Sequence, residues 1–254
     1  MNGFSEVEAE LETWRGHGLT PRFWLRDDDA ARPSAELDKL IAILREFDVP
    51  LLLAVIPVQA DAGLAERLRT EPLITPCVHG YAHKRHNAEP APAIELGGDR
   101  SADVVLAELS AGRDRLRRLF GDRLSGILVP PWNRIGRQVA ARIHECGFTG
   151  LSTNSWHVNG TILPELNTQI DIVDWANGRK GHSLEWTIGE LLRRLRQARA
   201  RGGAPLGILT HHLVLDDRAW QTLRDLILYL KVRKGFAFEA ADDLLASRIK
   251  PLQG

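Results

Sequence analysis

Residues 51–56 read LLLAVI, six apolar residues in a row. A strand with one wet face alternates apolar and polar side chains, whereas a strand covered on both faces has no need to. The run is therefore read as a buried parallel strand. Parallel neighbours need crossover segments, usually helices, and the flanks supply them. Residues 33–47 carry Leu37, Leu40, Ile41 and Leu44 at helical spacing, and residues 62–68 form a shorter helical stretch. Working outward, further strands are expected at 22–26, 74–78, 125–129, 148–153, 169–173, 206–210 and 236–239. Helices are expected at 5–17, 101–120, 136–146, 184–201, 216–233 and 241–249. Ser5 with Glu8 three residues on suits a capping box, and Gly147 suits a helix stop. About eight strands separated by helices make an α/β fold, read as a distorted (β/α) barrel of about seven to eight strands. The 254 residues are read as one catalytic domain, with the Pro/Gly-rich stretch 88–99 as a loop because strands continue on both sides.

Composition narrows the function classes. Apolar residues make up 44% and charged residues 26%, as in ordinary globular proteins. Lys plus Arg and Asp plus Glu are equal at 33 each, so no net field favours nucleic acid or an anionic membrane as partner. No stretch approaches the roughly 20 apolar residues of a membrane span. The opening MNGFSEVE has neither the basic nor the apolar region of a secretory signal, and a cytoplasmic location is expected. Cys77 and Cys146 fit neither a zinc knuckle nor a disulfide scaffold and are read as buried thiols. Nothing in the sequence speaks to oligomeric state.

In folds with parallel strands, chemistry gathers at the carboxyl ends of the strands. Five expected strand ends are furnished for it: Asp27-Asp28-Asp29, His79-Gly80-Tyr81-Ala82-His83, Pro130-Pro131-Trp132-Asn133-Arg134, Asp174-Trp175, and His211-His212. Adjacent carboxylates repel, and a divalent cation or a basic partner relieves the cost; a polar turn capping the next helix is the plainer reading. His79 and His83, four apart, have the spacing of imidazoles that share a metal, although His83-Lys84-Arg85-His86 also suits a solvated segment. Two imidazoles and one carboxylate leave positions open for water, as a catalytic ion requires. The His-x3-His pair has no internal Glu, so a base must come from elsewhere, and Asp28 is the obvious source. One of His211 and His212 is a candidate general acid, with a carboxylate such as Asp174 to orient its ring. Trp132, Trp175 and Leu209 lie beside these polar groups as candidate pocket walls.

This set resembles the polysaccharide deacetylases, the NodB-homology carbohydrate esterases. The resemblance runs from Asp28 to His211 with five motifs in family order, and it implies a distorted (β/α) barrel. It implies that Asp28 is the catalytic base and Asp29, His79 and His83 hold the metal, with a one-residue shift to Asp27 and Asp28 left open. The third motif looks like Val129-Pro130-Pro131-Trp132, with Val129 where the family has the Arg that contacts the base; Arg134 and Arg26 are the candidate substitutes. The Trp132 N–H is implied as an oxyanion donor. The motif Asp171-Ile172-Val173-Asp174-Trp175 implies Asp174 behind the catalytic histidine, and Leu209-Thr210-His211 implies His211 as the acid and Leu209 as pocket wall. The implied activity is removal of an acetyl group from an N-acetylated sugar or related glycan or amide, with Zn2+ the expected ion. The alternatives are an allantoinase-like hydrolase of a small cyclic amide and a non-hydrolytic glycan-binding relative.

Overall fold

The computed structural model describes residues 3–249. Its strands are β1 Phe23–Ala30, β2 Leu51–Val55, β3 Ile74–His79, β4 Ile127–Val129, β5 Gly150–Leu151, β6 Thr168–Asp171, β7 Val173–Asp174, β8 Lys180–Gly181 and β9 Leu206–Thr210. The helices are α1 Gly3–Gly16, α2 Ala35–Phe47, α3 Ala62–Leu68, α4 Ala102–Phe120, α5 Arg137–Ala140, α6 Leu184–Arg199, α7 Asp217–Ile227 and α8 Ala241–Ile249. Seven strands form one parallel sheet in the order β5-β4-β3-β2-β1-β9-β6. Two isolated parallel bridges, Leu151 to Glu165 and Asn154 to Thr168, join the chain leaving β5 to the chain entering β6. The sheet therefore curls into a ring with an irregular seam, a distorted (β/α) barrel.

All five residues of β2 are buried, as its unbroken apolar run requires. Strand alternation sorts its neighbours into two sets. Leu25, Leu51, Leu53, Val55 and Val78 pack outward against Leu37, Leu40, Ile41 and Leu44 of α2 and Leu64 of α3. Trp24, Leu52, Ala54, Cys77, Ile127 and Val129 fill the barrel, closed by Leu244 and Leu245 of α8. Leu37, Leu40, Ile41, Leu44, Leu51, Leu52, Leu53 and Leu64 are each at most 2% exposed, which at roughly 2 kcal/mol per buried aliphatic side chain makes the α2–β2 layer a principal source of stability. Cys77 and Cys146 are both buried and free.

Several expectations need correction. The last strand, expected at 236–239, is a single bridge from Phe238 to Phe23, because from Leu25 onward β2 occupies that flank of β1. The helix expected at 136–146 breaks after α5 and resumes as a 3-10 turn, Ile143–Cys146. The helix expected at 216–233 ends its regular part at Ile227 and continues as a π-helical stretch, Leu228–Arg233. The strand expected at 169–173 stops at Asp171, and a small antiparallel hairpin, β7–β8, follows it. Among the described residues no helix is long and apolar enough to cross a membrane.

Candidate active site

The three aspartates ending β1 have three different surroundings. Alternation turns Asp27 to the outer side of the barrel, where it accepts from the Thr210 hydroxyl (2.7 Å) and the His212 N–H (2.8 Å) and contacts His212 Nδ1. Arg26 and Asp28 point inward. Continued alternation would send Asp29 outward again. Instead the register with β2 slips between Asp27 and Ala30, and Asp29 adopts φ 72°, in the left-handed region. This bulge brings its carboxylate into the same cavity as Asp28. The geometry thus places Asp28 and Asp29 in one cavity and leaves Asp27 with Thr210 and His212.

His79 closes β3, and its Nδ1 lies 3.0 Å from the Val129 carbonyl. A carbonyl only accepts, so Nδ1 carries the proton and a neutral ring offers a lone pair at Nε2. That nitrogen faces Asp29 Oδ1 at 3.0 Å, and His83 Nε2 lies 3.1 Å from the same oxygen. The three ligand atoms lie within 4.8 Å of one another. A neutral His79 protonated on Nδ1 has nothing to donate to Asp29, so the contact calls for a second proton or a cation. Burial opposes the charged form of His79, but the Asp29 hydrogen bond and the charges of Asp28 and Asp29 prevail and raise its pKa. Burial likewise pushes Asp29 up, and the hydrogen bonds from His79 and His83 overcome it, holding the carboxyl well below its usual range. One carboxylate oxygen and two imidazole nitrogens with open positions beyond them fit Zn2+ or a similar divalent ion.

The turn delivering His83 is shaped by a residue that sequence reasoning missed. Glu95, wholly buried, accepts from the N–H groups of Tyr81 (3.1 Å), Ala82 (2.7 Å) and Lys84 (3.3 Å). Gly80 has φ 58°, and a Cβ there would lie 2.1 Å from Glu95 Oε2 and 2.6 Å from the Pro131 ring. The only sequence hint was an acid flanked by Ile94 and Leu96 inside a loop.

Arg26 stands where the resemblance calls for a base-contacting arginine, although it comes from β1 and not from the Val129 position. Its side chain is fully buried. Nη2 donates to Asp28 Oδ2 (3.0 Å) and Asn133 Oδ1 (2.5 Å), and Nε lies 2.9 Å from Asp28 Oδ1. Nη1 donates to Ser152 and Thr153, past β5. Arg134 is elsewhere, with Nη1 on the Ala93 carbonyl.

On the far side, His211 faces Asp28, with Nε2 3.9 Å from Oδ2, and packs against the edge of Trp175 (4.7 Å between centroids). The expected contact from Asp174 is not made. Asp171 Oδ1 accepts from the Val173 N–H and bends the chain into the β7–β8 hairpin, which carries Asp174 away. Asp174 instead caps the hairpin tip, accepting from the Ala176 and Asn177 N–H groups and the Asn177 amide. Asp171 is the carboxylate that shares the cavity with His211, and its Oδ2 accepts from Trp175 Nε1 (2.9 Å). Burial raises the Asp171 pKa, against the charge of His211 and two hydrogen bonds. Trp132 lies in a 3-10 turn, Pro131–Asn133, at φ 54°, with its ring 4.4 Å from that of His83. As the second residue of that turn its N–H has no acceptor within it.

Asp28, Asp29, His79, His83, Trp132, Trp175 and His211 all line one cavity of about 460 Å3, together with Asn133, Arg134, Asn154, Asp171 and Arg179. Leu209, expected in this wall, lines an adjoining cavity with Trp186 and Glu190. A larger-scale likeness accompanies this geometry. The fold is that of the polysaccharide deacetylases and family 4 carbohydrate esterases. A protein of Mycobacterium smegmatis assigned to the polysaccharide deacetylases superposes with TM-score 0.67 at 17% identity, covering 92% of this chain and 93% of that one. The Bc1960 peptidoglycan N-acetylglucosamine deacetylase gives 0.59 at 17%, covering 89% and 88%. A family 4 acetyl xylan esterase from Clostridium thermocellum, in complex with a cobalt ion, gives 0.56 at 14%, covering 91% and 93%. No family model and no curated protein sequence matches the chain. At such identities the likeness speaks for the fold, and the reading of the site rests on its own geometry.

Proposed function

We propose that the chain is a metal-dependent hydrolase that removes an acetyl group from an N-acetylated sugar or a related glycan or amide, with Zn2+ as the ion held by Asp29, His79 and His83. The observation that carries this reading is the opposition, across one cavity, of Asp28 held by Arg26 and His211 with its Nε2 3.9 Å from Asp28 Oδ2. A base and an acid so close can serve one tetrahedral centre. When bound, a divalent cation supplies Lewis acidity at the acyl group. Asp28 accepts the proton of the attacking water, and Arg26, paired with its carboxylate, fixes its direction. The Trp132 N–H stabilises the developing oxyanion, a contribution of about 3 kcal/mol per donor. His211 gives its proton to the leaving nitrogen as the C–N bond breaks, so the products are acetate and a free amine. Trp175 holds the His211 ring and is itself tied to Asp171. The names of the solved relatives, a peptidoglycan N-acetylglucosamine deacetylase and an esterase with cobalt, are consistent with this reading.

The test is acetate release from a panel of N-acetylated sugars by the metal-loaded protein, its Asp28→Asn variant and its His79→Ala variant. Both variants are expected to lose at least about a hundredfold in kcat. Undiminished turnover in both refutes the proposal, and turnover of a ureide without any acetate release favours the allantoinase-like alternative.

A further inference from the structure

Arg134 was a candidate partner for the base, and Arg26 fills that place. Arg134 nevertheless lines the cavity, exposed, its guanidinium engaged only by the Ala93 carbonyl through Nη1 at 3.1 Å. Facing the same cavity from the β7–β8 hairpin is Arg179, also exposed, whose guanidinium carbon lies 5.8 Å from the centroid of Trp175. Neither has a carboxylate partner among the described residues. The acids lining the cavity are otherwise engaged: Asp28 by Arg26, Asp29 by the two histidines, and Asp171 by the Val173 N–H and Trp175. Several other surface arginines do have acid partners, as in Arg15 with Glu12, Arg69 with Glu66, Arg117 with Asp122 and Arg142 with Asp103. What sets Arg134 and Arg179 apart is place: two guanidiniums without carboxylate partners, brought from separate elements to one cavity whose acids are already engaged, call for an anionic ligand.

We infer that the substrate carries an anionic group, a carboxylate or a phosphate, held at the cavity rim by Arg134 and Arg179 away from the bond that is cleaved. Guanidinium forks match both anions in a bidentate manner, and a hydroxyl offers them far less. Trp132 and Trp175 flank the cavity and give the uncharged body of the substrate an apolar surface. The substrate class is thus an acidic N-acylated sugar or amide. The anion site stands on the two arginines, and only its assignment to a deacetylation substrate rests on the proposed function.

The metal-loaded protein is titrated calorimetrically with N-acetylglucosamine, N-acetylglucosamine 1-phosphate and N-acetylmuramic acid, and acetate release is followed with each. At least one anionic sugar is expected to bind about tenfold or more tightly than the neutral one. The advantage is expected to shrink about tenfold in Arg134→Gln and in Arg179→Gln, and to weaken with salt. The two anionic arms show which of phosphate and carboxylate is preferred. Equal binding of all three sugars, no binding of either anionic sugar, or an advantage untouched by both substitutions overturns the inference, the last because the anion would then be held by the metal alone. Acetate released equally well from the neutral sugar with no arginine dependence defeats the anion site and leaves the deacetylase reading standing. Arginine-dependent binding without acetate release does the reverse.

Discussion

Replacing Arg26 by Met removes the cation from beneath Asp28 while keeping much of the side-chain volume. The guanidinium is fully buried and makes five hydrogen bonds, to Ser152 O (3.1 Å), Ser152 Oγ (2.8 Å), Thr153 O (3.1 Å), Asn133 Oδ1 (2.5 Å) and Asp28 Oδ2 (3.0 Å). Removing one partner of a buried ion pair costs about 3–5 kcal/mol, largely because the other charge is stranded. Asp28 is 2% exposed, so water gives it little relief. The loss is thus expected near 4 kcal/mol, a large part of the roughly 5–15 kcal/mol that holds a domain folded. Much of the cost belongs to the stranded carboxylate, so adding Asp28→Asn to Arg26→Met should recover about 2 kcal/mol, a coupling within the range for direct contacts. Urea unfolding of the wild type, the two single variants and the double variant measures this cycle, and acetate release measures the activity, which neither the Arg26 variant nor the double variant is expected to keep. A loss below about 1 kcal/mol for Arg26→Met, or no recovery in the double variant, would refute the claim that Arg26 is there as the buried partner of the Asp28 carboxylate.

Three further outcomes follow from the site. His79 has a raised pKa in the metal-free protein, so protons compete with the cation over a range that reaches higher pH than for a free imidazole. Zn2+ affinity, measured by chelator competition, is therefore expected to be full at high pH and to fall as the pH drops through that raised value, with protons released on binding; a pH-independent affinity contradicts it. Glu95→Gln leaves one amide oxygen where two carboxylate oxygens receive three N–H groups, and should cost about 1–3 kcal/mol in stability and weaken metal binding through His83. Full metal affinity in that variant would mean the turn holds itself. Burial raises the Asp171 pKa, so its ionisation is a cost to the folded state that is absent below the unfolded value and complete above the raised folded one. Asp171→Asn should accordingly stabilise the protein at about pH 8 and not at about pH 3, while lowering kcat, and thermal melts at the two pH values decide it.

The parts that sequence reasoning reached were those governed by local pattern. The unbroken apolar run at β2, the helical spacing of α2 and the strand-then-acid order of β1 are short-range properties, and they were enough for the barrel. His79, His83 and His211 sit at or just past strand ends, where a parallel sheet gathers its chemistry. What escaped depended on contacts between distant segments or on a single backbone turn. Glu95 reaches back 11 to 14 residues to seat a loop, and no period announces that. Asp171 and Asp174 are equivalent by residue type; a hydrogen bond from the Val173 N–H to Asp171 decides which one stays on the sheet. Arg26 could be named as a candidate but not chosen over Arg134, because the choice rests on side-chain direction across the barrel.

The backbone suggests why such supports are needed. Among the described residues seven that are not glycine have positive φ: Asp29, Asp48, His83, Trp132, Asn133, Ser155 and Arg179. Five of these, all but Asp48 and Ser155, line the one cavity. Each such residue costs on the order of 1 kcal/mol and persists only where its surroundings over-determine it. Glu95 supplies that constraint for the turn of His83, and Arg26, through Asn133 Oδ1, supplies it for the turn of Trp132. Arg26 therefore joins two parts of the cavity that lie far apart in sequence, the proposed base Asp28 on β1 and the turn of Trp132 after β4. Residue 129 contributes through its backbone instead, its carbonyl accepting from His79 Nδ1. An arginine on β1 thus clamps Asp28 and ties that clamp to the turn of Trp132, so that substitutions at Arg26 or Glu95 are expected to degrade the site at strengths of perturbation the barrel itself survives.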